Sequence, residues 1–286
     1  MAERFAIVVD GTASFPPGMG AELDIRHLPL HVDIGNESYT AGVDLTAEEF
    51  YAKIAAPDVK PGTSQPSMGE CRDIYDRIVR EGIRKMIVIT IASELSGTYS
   101  VASTTGQQLS DARIEVVDSR SVAGAISLIA TACARARRDG HSFDEATALA
   151  RRLAGKVHIL AAADVLEYLK RSGRISGGAA LFGSLLAVKP ILEIDDGKVQ
   201  AVDRIRTREK ATARLKELIE GRVPPGSRIN ACTVHTNDPE RALALADWVQ
   251  QRFHCVEHWV AEAGPVIGAR GGPGVIGLCW YRSDEV

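Results

Sequence analysis

The chain has 286 residues, 45% hydrophobic and 25% charged, a balance that suits a soluble globular protein with room for one large or two ordinary domains. A formal net charge of -3 gives bulk electrostatics that favour neither nucleic acid nor an anionic membrane as a lasting partner. Five scattered cysteines without a CxxC pair argue for reduced thiols in a cytoplasmic setting, and no run approaches the roughly 18 apolar residues of a membrane span.

Phe5 to Val9 reads as a short buried strand that ends in the polar loop Asp10-Gly11-Thr12-Ala13-Ser14. Ile25 to Ile34 alternates and predicts one further strand, with a turn at Asn36-Glu37. Thr46-x-x-Glu49 is a capping box that opens a helix to about Ile54, and Ser67-x-x-Glu70 is a second that opens one to about Glu81. Thr63 and Ser64 precede that helix in backbone held extended by Pro66.

Lys85 to Ser103 is the most informative stretch. Met86 to Ile91 is apolar and β-branched, the pattern of a strand buried on both faces, and Ala92 to Thr98 is a small, hydroxyl-rich loop before a helix. In an open α/β sheet such a loop lies at the carboxyl ends of the strands, where ligands collect. Ser96 and Thr98 present hydroxyls there, and the first turn of the next helix favours an anion. The bland alternative is that Ser93 or Ser96 only caps the helix. Arg113 to Val117 is another strand, leading through Asp118-Ser119-Arg120-Ser121 to a helix from about Val122 to Arg138. Ser142-x-x-Glu145 caps one more, to about Leu153. This alternation predicts an α/β fold whose N-terminal sheet is largely parallel with flanking helices.

From Gly155 the pattern changes, which divides the chain into an N-terminal α/β domain, 1–154, and a second α/β domain, 155–286. Val157 to Ala163 is a strand and Asp164 to Arg171 a short helix, followed by a basic loop, Ser172 to Gly178. Ala179 to Val188 is almost purely apolar, a buried helix or a flap over an apolar cavity. Asp195-Asp196-Gly197 turns a hairpin between Pro190–Ile194 and Lys198–Ile205. Arg206 to Lys210 opens a charged helix. Ile229 to Val234, Val256 to Val260 and Val275 to Tyr281 are strands, with a helix over Pro239 to Phe253 and a glycine-rich run from Gly264 to Gly274. His254 and His258 would share one side of a strand, but ordinary strand residues are the better reading than a metal pair. No G-x-S-x-G elbow, Walker A loop or post-strand G-x-G-x-x-G is present, and His235, at a strand end, is the one histidine to weigh as a base for Ser96.

Several stretches together resemble the DegV family, which includes the fatty-acid-binding (FakB-like) subunits of bacterial fatty acid kinase. They are Val9 to Ser14, Thr63-Ser64-Gln65-Pro66-Ser67, Leu95-Ser96-Gly97-Thr98-Tyr99, Val117 to Ser121, Leu166 to Ile175, Val188 to Leu192, Arg206-Thr207, and Gly264 to Gly268 with Gly272-Pro273-Gly274. The resemblance runs the length of the chain in the expected order. It implies a two-domain DegV-like fold that buries a long-chain fatty acid in an apolar tunnel, needs no cofactor or metal, and is not itself catalytic. A separate fatty acid kinase subunit would phosphorylate the bound acid, which is drawn from the membrane by transient surface contact in the service of phospholipid metabolism. Thr63 and Ser96 correspond to the hydroxyls that bind the carboxylate. Ser64, Ser93, Gly97, Thr98 and Arg206 stand beside them as further ligand or partner residues, with Arg206 matching the arginine that meets the kinase.

The sequence departs from the family pattern where a histidine and a threonine usually precede the glycine-rich end: Arg270 and Gly271 stand there instead. Arg270 could grip the carboxylate bidentately, face a phosphate, or point to solvent. Gly11 likewise replaces a serine. The competing functions are a hydrolase or phosphotransferase using Ser96, and a lipid-responsive regulatory protein.

Overall fold

Strand alternation sets the layers. The computed structural model describes residues 3–56, 58–175 and 188–286. β1 (Ala6–Asp10), β2 (Ile25–Leu28), β6 (Lys85–Thr90) and β7 (Arg113–Asp118) form a four-stranded sheet in the order β2-β1-β6-β7, every pair parallel. Ile7, Val9, Ile87 and Ile89 point to one face, under α5 (Gly124–Arg138) and α6 (Phe143–Ala154). Ala6, Val8, Met86 and Val88 point to the other, under α3 (Met68–Arg80) and α4 (Thr98–Gln107). Two-sided burial is why these strands read as unbroken apolar runs, and each Ile or Val hidden this way contributes roughly 1.5–3 kcal/mol.

All three capping boxes form, at Thr46 ahead of α2 (Ala47–Ile54), at Ser67 and at Ser142. α5 begins two residues later than the periodicity predicts, because Ala123 has φ 54 and cannot be a helical residue. The single predicted strand over 25–34 is in fact two. Pro29 has no N–H for the ladder, so β2 ends at Leu28 and the chain leaves the parallel sheet. β3 (His31–Ile34) then pairs with β4 (Glu37–Thr40) and β5 (Gly62–Ser64) in a small antiparallel sheet ordered β4-β3-β5. Its hairpin turns at Gly35, with φ 61, and Asn36, one residue earlier than expected.

The second sheet has six strands in the order β10-β9-β8-β13-β11-β12: β8 (His158–Ala162), β9 (Lys189–Asp195), β10 (Lys198–Ile205), β11 (Arg228–His235), β12 (His254–Glu262) and β13 (Ile276–Arg282). Only β11 and β12 run parallel. Asp196 and Gly197, with φ 49 and 79, make the two-residue hairpin turn that the sequence announced. Leu160, Ala162 and Leu278 face α8 (Arg208–Arg222) and α9 (Pro239–Arg252). Ile159, Cys232 and Cys279 face the other way and join the core built on α5, so one hydrophobic cluster passes from the first sheet to the second. A Cβ added at Gly124 would lie 2.7 Å from Cys232 Sγ and 2.9 Å from Val234 Cγ1, which is how closely α5 lies on β11.

Two short helices frame the space left between the sheets: α7 (Leu166–Ser172) and α10 (Pro265–Gly271). The second lies inside the glycine-rich run, where the sequence showed no helix; Pro265 at its first turn starts it. α1 (Met19–Glu22) is a single turn. The apolar run 179–187 falls outside the described residues, as do Ser176, Gly177 and Gly178; Val188 is buried ahead of β9. No helix among the described residues is long and apolar enough to cross a membrane.

The histidines of β12 do not share a side. Arg228 pairs with His254 but Ala231 pairs with His258, because the ladder slips by one residue at Val256 and reverses the alternation. His258 bonds Thr233 Oγ1 at 2.9 Å instead.

Two outcomes follow from this packing. Gly124→Ala gains helix propensity but drives its methyl into Cys232, so we expect a net loss of about 1–3 kcal/mol in urea unfolding. Burial pulls the His258 pKa below the ordinary imidazole value. The unfolded chain therefore takes up that proton first, and the stability His258 contributes is intact above about pH 6.5 and lost as pH falls below it. The stability gap between wild type and His258→Gln should narrow on going from about pH 7.5 to about pH 5.5.

Candidate functional site

The carboxyl ends of β1 and β6 open onto one face of the six-stranded sheet, and a cavity of about 420 Å³ lies between them, within the usual range for a small-molecule site. Most of its wall is apolar, including Ile91, Leu95, Ile159, Leu192, Val234 and Val266. The polar residues come from a few loops that fold toward one another.

Asp10, fully buried at the end of β1, organises the floor. Its carboxylate accepts from the Thr12 N–H at 2.8 Å, from the Thr12 hydroxyl, and from the Ile91 N–H beyond β6. Burial raises its pKa and those three donors oppose the rise. Thr12, tied down in this way, lines the cavity. Gly11 packs its backbone against Leu30: a Cβ added at Gly11 would lie 3.3 Å from the Leu30 Cβ. Asp118 does for the next loop what Asp10 does for the first, accepting from the Ser93 N–H and hydroxyl and from the Arg120 N–H.

Ser96 and Gly97 reach the cavity from the loop after β6. Gly97, not a serine, is the N-cap of α4, with no side-chain capping bond. Ser96 Oγ lies 2.9 Å from the hydroxyl of Thr98, which is completely buried, and accepts the Thr98 N–H at 3.4 Å. Thr63 and Ser64 reach it from β5. A side chain at position 97 would run into the Gln65 amide, so the absence of one lets the Thr63 and Ser96 loops close on each other.

Arg270 enters from the last turn of α10. That helix sits flush on α2 because Gly268 has no side chain: a Cβ there would fall 2.6 Å from Tyr51 Oη and 2.7 Å from Phe50. So placed, Arg270 donates from Nε (3.0 Å) and Nη2 (2.6 Å) to Thr63 Oγ1, and from Nη2 to the Thr63 carbonyl at 3.4 Å. Burial first, and the neighbouring Arg174 second, lower its pKa from the ordinary arginine value, though a guanidinium stays charged. Arg174 also lines the cavity and anchors Nη1 on the Ser172 carbonyl at 2.6 Å. Among the described residues no Asp or Glu lines the cavity. The site thus offers hydroxyls and two cations at one region of an apolar chamber, the chemistry of an amphiphile with an anionic head.

Of the residues expected from sequence, Thr63, Ser64, Ser96, Gly97 and Arg270 come together on this cavity. Ser93 is taken up by Asp118 at 2.6 Å, Thr98 sits behind Ser96, and Arg206 is exposed just ahead of the Thr207 cap of α8. Sequence reasoning missed Arg174, Thr12 and Gln65, each of which lies in or beside a motif already singled out. Conventional catalytic chemistry is poorly provided for. Ser96 bonds Thr98, while His235 Nδ1 accepts the Asp238 N–H at 3.4 Å. Buried thiols such as Cys133 and Cys279 are pushed up to about 12 by desolvation. Among the described residues no group of three or more His, Cys, Asp or Glu could hold a metal.

The family model described as uncharacterised protein, DegV family, matches residues 4–283. A DegV domain-containing protein of Halalkalibacterium halodurans is 32% identical over 278 residues, 97% of this chain and 98% of its own. The crystal structure of DegV, described as a fatty acid binding protein from Bacillus subtilis, superposes with a TM-score of 0.89 at 30% identity, covering 99% of this chain and 100% of that one. A Thermus thermophilus DegV family protein, whose description records fatty acid binding, gives 0.89 at 28% identity over 98% and 99%. With its whole length matched in sequence and in fold, the chain belongs to the DegV family.

Proposed function

We propose that this protein binds a long-chain fatty acid, holding the acyl chain in the apolar cavity and the carboxylate at Thr63, Ser96 and Arg270, and presents it to a separate kinase subunit. The observation that carries the reading is the pairing of an apolar chamber with a hydroxyl-rich region that holds two arginines and, among the described residues, no lining carboxylate. The fatty acid binding described for the Bacillus subtilis and Thermus thermophilus relatives supports it.

The energetics divide between tail and head. About 15 methylenes at ~0.8 kcal/mol each gain on the order of 12 kcal/mol on burial. Association subtracts roughly 4 kcal/mol or more. The tail supplies affinity; the head supplies orientation and chemical choice, since a carboxylate left without donors in such a chamber would be costly. Among the described residues Ser96 has no evident base, and we assign phosphorylation of the bound acid to a partner that brings ATP. The exposed Arg206 and Arg174, beside the head-group region and the start of α8, are the positions we assign to that partner and to the ligand's entry.

Protein purified from bacteria should carry a long-chain fatty acid in native mass spectrometry, and Thr63→Val combined with Ser96→Ala should lose it while unfolding normally. The protein alone should leave acyl esters and ATP untouched, with acyl phosphate formed only when a fatty acid kinase is added. Ester or ATP turnover by the lone protein, abolished by Ser96→Ala, would refute the carrier reading.

A further inference from the structure

The hairpin of β9 and β10 belongs to its sheet at one end only. β9 pairs with β8 at Ile191, Leu192 and Glu193, and there the ladder stops, although Ile159 and His158 of β8 go on to pair with β13. β10 has a bulge at the same level, where Val202 is the extra residue between Ala201, opposite Leu192, and Asp203, opposite Ile191. A bulge bends the strand that carries it. Both strands are pinned to α8 at this level, Glu193 by Arg222 at 2.6 Å and Asp203 by Arg214 at 2.7 Å. Residues 194–201 therefore project past the sheet as a two-stranded arm with a hinge at its root.

One face of the arm is cavity wall. Ile194 and Val199 stand opposite each other across the two strands, and both line the chamber. Asp195, Lys198 and Gln200 are exposed on the other face. Among the described residues, then, the arm can swing outward without first displacing another element.

The turn holds the free end. Gly197 is buried against the loop after β6: a Cβ added there would stand 3.5 Å from the Cβ atoms of both Ala92 and Glu94. Asp196 pairs with Arg120 in the loop after β7. Asp118 ties these two loops together by accepting from the N–H groups of Ser93 and Arg120. Ile194 adds packing against the core under α5, and Val199 forms a single bridge with Ile175. The Arg120–Asp196 pair is more than half exposed on both sides, so it holds only weakly.

We propose that this arm is the gate of the cavity, latched by its turn onto the loops after β6 and β7, and that the acyl chain exchanges when the latch opens. The proposal rests on the fatty-acid reading for what passes through; the hinge and the latch stand on the fold alone.

The test is the rate at which bound palmitate exchanges for deuterated palmitate, followed by native mass spectrometry. Arg120→Ala and Asp196→Asn each remove the ion pair, the second while keeping a residue that tolerates the turn, and each should quicken exchange by about two- to fivefold. The double variant should be no faster than about either single one, because the two side chains act as a unit. Glu94→Cys with Gly197→Cys puts two thiols within ordinary disulfide reach. Oxidised glutathione closes that bond and leaves as two reduced thiols. Exchange should then slow by about tenfold or more, and recover on reduction with dithiothreitol. Equal rates in the closed and reduced forms would overturn the gate; if the cysteine pair does not close, unchanged rates in both ion-pair variants would overturn it. Opening is also read without a ligand, by maleimide labelling of Val199→Cys in protein carrying Cys255→Ser, which removes the one native thiol that is not buried. Arg120→Ala should speed that labelling by the same factor, and an unchanged rate would again overturn the gate. Wild-type protein that takes up no palmitate would overturn the fatty-acid reading and leave the labelling rate to decide the gate.

Discussion

The structure turns on how the backbone donors at the carboxyl ends of the parallel strands are satisfied. Where these ends abut the second sheet rather than water, as at Thr12 and Ile91, a backbone N–H needs a partner, while Ser93 and Arg120 lie nearer the surface. Asp10 and Asp118 supply it: between them they take the amides of Thr12, Ile91, Ser93 and Arg120. With these two carboxylates committed to the main chain, the hydroxyls of Thr63 and Ser96 bond Arg270 and Thr98 instead and line the cavity. The same arrangement keeps Asp10 and Asp118 out of the cavity wall. Asp10 is turned into its own loop, and the charged residues that line the chamber are all positive.

Charge in the site is paired with neutral groups, which is an unusual way to bury a guanidinium. Most arginines of this protein meet carboxylates, as Arg222 meets Glu193 and Arg241 meets Asp164 and Asp238. Arg270 instead rests on a hydroxyl and a carbonyl. Removing part of its hydration without a counterion is unfavourable.

Much of this was legible from sequence because the governing signals are local. Buried strands announce themselves as apolar runs, and all three predicted capping boxes form. The hairpin at Asp196-Gly197 follows from two residues that tolerate positive φ. The misses arise where long-range contact overrides the local pattern. Ile25 to Ile34 alternates like one strand, yet Pro29 ends a ladder whose partners lie elsewhere in the chain. The helix Pro265–Gly271 hides among glycines that look like a loop, since Gly268 is there for the sake of Tyr51 and Phe50 near the other end of the chain. Arg174 sat in plain view within a recognisable motif, but only the folded chain brings it beside Arg270. That His254 and His258 part company depends on a one-residue slip in a ladder, which no periodicity reveals.

The core shared across the two sheets bears on how the protein is made. α5 is complete once Arg138 has left the ribosome, yet the surface it covers includes Cys232 on β11 and Cys279 on β13. Both strands lie far downstream and must still be synthesised at that point. Until then the nascent N-terminal half displays an apolar helix face with nothing to rest on, a surface that chaperones recognise and that aggregation exploits. β13 lies between β8 and β11 in the middle of its sheet, so that sheet cannot close until a strand far downstream of α5 has been made.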